Sequence, residues 1–451
     1  MDEARGGEPR SGERPATVSR RTLLRTAGAA GAGAMLAGSL SGCASRTAAS
    51  GATRVTMWSW LTGMDRYVEA FNASQREVFV DLNVLAGGLS GGYAQQTNAI
   101  RAHNAPDIMH VEYQGLPQVL TSGGLREITE DMSDLASGYS SAAWRSVRPD
   151  GRTWAVPFDV APMVLYYRKD LFDAHGLAVP SDWEQFRTTA EEVRRIDPAA
   201  RFTTFPLNDG SFFAGMAWQA RDPWWQVRGD SWEVDIGGAG TVRTARYWQE
   251  LIDADLVRSD GIGTQDWIAS MHEGRLWSLL GAAWSAGTLN KSIPQDSGRW
   301  AVTTLPTWDG VPSTGMQGGS AFAVSADSDV PEAALTFLRW LSTDPEVPRI
   351  AASFTTLLPA YVPNRAVARE SYRSGYFLGE PIYDVLDEAV RRVSDWTWGP
   401  TALGLFSTLE NRFSPVAAGG STLVEAIERV QHDSVRSMRG SGLSVIEGGS
   451  T

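Results

Sequence analysis

Between residues 54 and 111 this chain alternates short apolar runs with amphipathic stretches, and that alternation narrows its possible folds more than any other feature. Arg54-Val55-Thr56-Met57-Trp58 reads as a first strand, closing on Trp58-Ser59-Trp60. A helix follows from about Met64, with Tyr67, Val68 and Phe71 on one face. Val78 to Val84 is a second strand, Gly87 to Gly92 a glycine loop, Tyr93 to His103 a helix, and Ala105 to Val111 a third strand. Strands separated by helices pair in parallel, because the helix returns the chain to the edge where it started. The expectation is an α/β protein built on doubly wound sheets.

The alternation changes spacing after residue 160. Trp154 to Asp159 and Met163 to Tyr167 read as two extended runs with Pro162 between them. Helices are predicted over Asp182 to Arg195, Val242 to Ala254, Pro331 to Leu341 and Thr422 to Ser437. Ser181-Asp182-Trp183-Glu184 has the form of a capping box at a helix start. Gly318 to Val324 reads as a late strand that fits the first sheet. No internal repeat of solenoid length is present.

The first 42 residues read differently. Ser19-Arg20-Arg21-Thr22-Leu23-Leu24 opens a weakly apolar Ala/Gly/Leu run, the pattern of a twin-arginine export signal. The run ends on Leu40-Ser41-Gly42-Cys43, which resembles the lipobox of bacterial lipoproteins, and Cys43 is the only cysteine in the chain. The expectation is a signal peptide over 1–42, a lipidated tether over 43–54, and attachment to the outer face of a membrane through Cys43. With that cysteine committed to lipid, no disulfide is expected.

About 400 residues remain beyond the leader, too many for one hydrophobic core, so two domains are expected. The net charge is −12, and the leader itself is basic, with six Arg against four acids. So acidic a remainder excludes nucleic acid as a partner, because phosphate neutralisation needs clustered Lys and Arg. Five scattered His show no metal-ligand spacing, and neither a P-loop nor a dinucleotide fingerprint appears, so no metal or cofactor is expected.

Four segments, in order, resemble the extracellular solute-binding proteins of ABC importers, the maltose-binding-like family. They are Ala105-Pro106-Asp107-Ile108-Met109 through Ser122 to Ile128, Ala155 to Asp159 through Leu165 to Phe172, Pro180-Ser181-Asp182-Trp183-Glu184-Gln185-Phe186, and Gly318-Gly319-Ser320 through Ala334 to Leu338. The resemblance spans roughly residues 55–440. It implies a two-lobed, periplasmic-binding-protein-like (type II) α/β fold with hinge-linked, discontinuous lobes. Lobe one would hold 55–160 plus 320–360, and lobe two 163–317 plus 364–445. The crossings would fall near Asp159 to Pro162, Gly318 to Ser320, and Pro359 to Pro363. The partners implied are a small-molecule saccharide and membrane permeases with a separate ATPase; a monomer is expected.

Ligands of open α/β sheets sit outside the carboxyl ends of the strands, where winding reverses. From lobe one that selects Trp58, Trp60, Asp65, the Gly87 to Gly92 loop, and Tyr113 and Gln114 beside Glu112. Asp159 lies at the hinge, divided evenly between ligand contact and hinge hydrogen bonding, and Gly318 and Gly319 lie at the second crossing. Lobe two offers Phe212 and Phe213, Trp224 and Trp225, Trp284, and Trp396 with Trp398. The chemistry suits a sugar: pyranose C–H faces stack on flat rings, and carboxylates accept hydroxyl hydrogen bonds strengthened by charge. Of the 18 Trp, those on predicted helices (Trp183, Trp248, Trp340) read as core. Asp107, after Pro106, reads as structural.

Other readings have some support. A glycerol-phosphate or amino-sugar ligand falls within the same transporter class; a phosphate would call for Arg66, Arg221 or Arg228. A serine hydrolase would use Ser90 in Gly88-Leu89-Ser90-Gly91-Gly92, which matches G-x-S-x-G between a strand and a helix. In a glycine-rich chain such a match arises readily by chance, and no His falls on a suitable loop. A glycoside hydrolase would need a carboxylate pair, and none stands out.

Overall fold

The computed structural model describes residues 51–372 and 375–448. Cys43 and the leader lie outside the described residues. In chain order the first strands are β1 (Thr53–Ser59), β2 (Val78–Val84), β3 (Ile108–Glu112), β4 (Val156–Pro157), β5 (Asp159–Val160) and β6 (Met163–Arg168). After them come β7 (Trp225–Arg228), β8 (Ser231–Val234), β9 (Ser278–Ala282), β10 (Trp300–Thr304), β11 (Ser320–Val324), β12 (Leu358–Pro359) and β13 (Val445–Glu447).

The first sheet runs β2-β1-β3-β11-β4. Its first three strands are parallel, as their intervening helices require, and β11 enters antiparallel to both β3 and β4. Along β1 the side chains alternate, burying Val55, Met57 and Ser59. The helix Met64–Ser74 buries Met64, Tyr67, Val68 and Phe71. A second, antiparallel sheet runs β10-β6-β9. Its central strand β6 is buried at every position, so it reads as a continuous apolar run. Together these elements form a two-lobed α/β fold. No helix among the described residues is long and apolar enough to cross a membrane.

Two local expectations need correction, and one hairpin is added to them. The run Trp154 to Asp159 is not one strand but β4 and β5, in different sheets. The capping box before the helix Trp183–Ile196 is shifted by one residue. Asp182 is the cap, accepting from Gln185 N at 2.7 Å, while Gln185 Oε1 reaches back to Ser181 N at 3.1 Å. The β7–β8 hairpin, extended in parallel by β13, is not legible in the sequence, its strands being too short for a period to register.

The chain leaves the first sheet after β4 and reaches β6 through β5. It returns across Gly318-Gly319 into β11, and leaves again through β12, which pairs with β5.

Candidate functional site

At the carboxyl end of the first sheet one indole is held in a polar frame. Trp60 follows β1 and lies 4.3 Å from the His110 ring and 5.0 Å, edge to face, from Tyr93. His110 stacks in turn on Phe322 at 5.0 Å. The glycine loop exists to admit that indole. A Cβ on Gly92 would sit 3.0 Å from the Trp60 ring and 2.7 Å from Ala86 O, and one on Gly88 would stand 2.6 Å from Tyr93.

Polar groups converge on the same spot. Glu112, the last residue of β3, accepts from Tyr93 Oη at 2.9 Å and from Gln114 Nε2 at 3.1 Å. Burial pushes the Glu112 carboxyl above its ordinary value, opposed by the Tyr93 hydroxyl and the Trp60 indole. The Trp60 N–H is close enough to favour the charged form but completes no regular hydrogen bond. Gln114 Oε1 is buried without a partner. An unpaired buried oxygen costs about 1–3 kcal/mol, so this corner is poised for a donor such as a hydroxyl. His110, buried under Trp60, is pushed down to about 3 by desolvation and stays neutral.

A second polar corner forms where β9 ends and the chain approaches Gly318. Trp284 is half-buried, and its Nε1 donates to Gln317 O at 3.0 Å. Gln317 Nε2 donates to Asp209 Oδ2 at 2.8 Å, and Asp209 caps the helix Gly210–Gln219 through Oδ1. Gln317 Oε1 is buried and unpartnered. Between the two corners lie Gly318 and Gly319, at φ 87° and 102°. A Cβ on Gly319 would come within 2.6 Å of the Tyr113 ring.

The other expected residues are placed elsewhere. Trp58 is the penultimate residue of β1, on the face opposite Met57 and half-buried, and among the described residues no ring contact or hydrogen bond joins it to the Trp60 corner. Asp65 is exposed on the first turn of its helix, away from the Tyr67 face. Tyr113 is buried and donates to Asp159 O at 2.8 Å, and Asp159 itself is 3% exposed. Phe212 and Trp224 are core. Phe212 packs on Phe205 and Trp248, while Trp224, 0% exposed, donates Nε1 to Thr241 Oγ1 at 2.9 Å. Trp398 is buried among Trp218, Trp225, Trp396 and Phe406, leaving Trp396 as the half-exposed ring of that group. These rings lie inside because each has aromatic partners from distant segments. Asp107 is structural, its carboxylate taking Thr56 N, Thr56 Oγ1 and Ser328 Oγ.

Tyr93, His110, Asp209 and Gln317 escaped the sequence reading as site residues. Asp209-Gly210-Ser211 carried a helix-cap signal, and Gln317 adjoins the glycine pair; nothing marked His110.

A Trp-floored corner at strand ends, joined to a second polar corner through Gly318 and Gly319, lies where open α/β sheets hold ligands, and comparison decides its kind. Residues 66–370 match the family described as bacterial extracellular solute-binding protein. This chain belongs to that family. Among relatives of this solute-binding protein, a lactose-binding protein of Rhizobium radiobacter is 26% identical over 310 residues, 64% of this chain and 70% of its own. An arabinooligosaccharide-binding protein of Halalkalibacterium halodurans is 22% identical over 411 residues, 84% of this chain and 88% of its own. The solved galacto-N-biose-/lacto-N-biose I-binding protein of an ABC transporter from Bifidobacterium longum, in complex with lacto-N-biose, is 25% identical, with a TM-score of 0.79. That match covers 88% of this chain and 99% of the other.

The rival chemistries find little support in the geometry of this solute-binding protein. Ser90 is exposed, and each of the five His is engaged elsewhere: His103 with Asp327, His110 with Ser59, His175 on Trp277, His272 with Asp296, and His432 with Glu447. Arg66 stacks on Phe354 and donates to Ser353, and Arg228 pairs with Glu233. Arg221 occupies a left-handed turn at φ 61° just after the helix Gly210–Gln219.

Proposed function

We propose that this solute-binding protein captures a sugar or oligosaccharide between its lobes and delivers it to the permeases of an ABC importer, whose ATPase is a separate subunit. The observation that carries the reading is the Trp60–Glu112–Gln114 corner: a flat ring for a pyranose face, a carboxylate, and an unpaired amide oxygen for hydroxyls. The lactose-, arabinooligosaccharide- and lacto-N-biose-binding relatives are named for ligands of the same chemical class. Lobe one comprises 55–160 plus 320–360 and lobe two 163–317 plus 364–445 in this reading.

The protein makes and breaks no bond. It is made with a twin-arginine signal over 1–42 and held on the extracytoplasmic face by lipid on Cys43, acting as a monomer. Thermal shift against lactose, lacto-N-biose and arabinooligosaccharides tests the binding, since a ligand held by the native state raises its midpoint. A flat response across the panel, with no change in tryptophan emission, would remove the sugar reading. Labelling of Ser90 by a fluorophosphonate probe, or sugar turnover, would point to an enzyme instead. Mass spectrometry of membrane-extracted protein, with Cys43→Ala as control, tests the anchor.

A further inference from the structure

All three chain crossings meet at one buried residue. Asp159 begins β5, the outgoing crossing, and its Oδ1 accepts the Ser320 N–H of the returning strand β11 at 2.8 Å. Its backbone pairs with Pro359 of β12, the third crossing. Its carbonyl takes the Tyr113 hydroxyl at 2.8 Å, and a Cβ on Gly319 would stand 3.4 Å from that same oxygen. Beside the carboxyl lies a cavity of about 20 Å³, lined among others by Tyr67, Phe158, Ser342, Pro359 and Asn364. That is room for one water, which needs roughly 10–15 Å³ of such space. The Tyr67 hydroxyl is buried and unpartnered.

We propose that Asp159 is the positioning residue of the hinge: its charged carboxylate ties the returning crossing to the outgoing one, and protonation releases that tie. A charged acceptor holds an amide roughly twice as firmly as a neutral one, so the Ser320 bond is the contact that protonation weakens. The groups facing Asp159 are Tyr67 from the helix Met64–Ser74, and Glu112 and Tyr113 from the end of β3. The cation next along the β12 side, Arg365, donates to Pro359 O through Nε and to Asp387 through Nη1, with Nη2 buried and unpartnered. Among the described residues no cation pairs with the Asp159 carboxylate. Burial pushes the Asp159 carboxyl up to about 7, opposed by the Ser320 N–H and reinforced by Glu112. The switch thus lies in the neutral range rather than the usual carboxylate range. The inference rests on the two-lobed reading but not on the identity of the ligand.

The test uses the full chain without sugar, so a failed saccharide panel leaves it standing. In ligand-free wild type the Ser320 amide proton resonance should titrate with one inflection near pH 7, about the value of its partner. The radius of gyration from X-ray scattering should rise as pH falls through the same point. Asp159→Asn keeps the acceptor and removes the titration, so both profiles should become flat. A wild-type Ser320 resonance without an inflection between about pH 5 and pH 9 overturns the proposal on the unmutated protein. An Asp159→Asn scattering profile that still follows wild type does so too.

Discussion

Trp60, just after β1, and Trp224, just before β7, are the same residue type in opposite employment. Trp60 is half-buried beside a carboxylate and an unpaired amide oxygen, on a floor of His110 and Phe322. Trp224 touches Phe213, Trp225 and Trp396 and spends its only donor on Thr241. An unpartnered indole N–H does not separate the two roles, since it recurs at Trp183, Trp225, Trp248 and Trp300. What separates them is the company: Trp224 is surrounded by rings, while Trp60 stands beside a carboxylate and an unpaired amide oxygen, which is why we propose it as a contact.

The largest effect should come from Trp224→Ala, which leaves a cavity under several rings and should cost about 3–5 kcal/mol in chemical denaturation. Unchanged stability with lost sugar binding would break the contrast. Trp60→Ala should raise the Kd for a saccharide that shifts the midpoint by about 100-fold, or ~2.7 kcal/mol, with a smaller loss of stability than Trp224→Ala. Calorimetric titration reads the first number, and a Kd within a factor of about three of wild type would put the contact elsewhere. Glu112→Gln replaces a charged acceptor by a neutral one and should weaken the same ligand about tenfold, or ~1.4 kcal/mol.

The smallest effect is a slope. His110 is at about 3 in the folded protein against an ordinary 6.5, so between these values the unfolded chain binds more protons. Its contribution to stability is therefore complete above 6.5 and declines as pH falls toward 3. Asp159 slopes the other way: raised from 3.8 to about 7, it costs stability as pH climbs through that interval. Thermal midpoints of His110→Phe should lose the acid-side decline, and an unchanged decline would show that His110 is not buried neutral.

Most of the first sheet was readable, because β1, β2 and the helix Met64–Ser74 carry clean periods of two and 3.6. The helix starting at Trp183 was readable from its cap, to within one residue. The site was legible only to the level of strand ends. Trp60 and Gln114 are expectations that rest on position along a strand, which is local information. Which rings turn inward is not local: Trp398 is covered by Trp218 and Trp225, and Phe212 by Trp248, each from another segment. His110 gave no signal because its packing against Trp60 and Phe322 joins separate segments and is not local information.

The placement of β11 between β3 and β4 has a consequence for how the chain assembles. A ribosome-bound fragment ending before Ser320 exposes the facing edges of β3 and β4 with nothing to fill the gap, and bare strand edges invite aggregation. Truncations from the carboxyl end should therefore lose solubility abruptly at this strand, whereas circular permutants that start upstream of it would complete the sheet early.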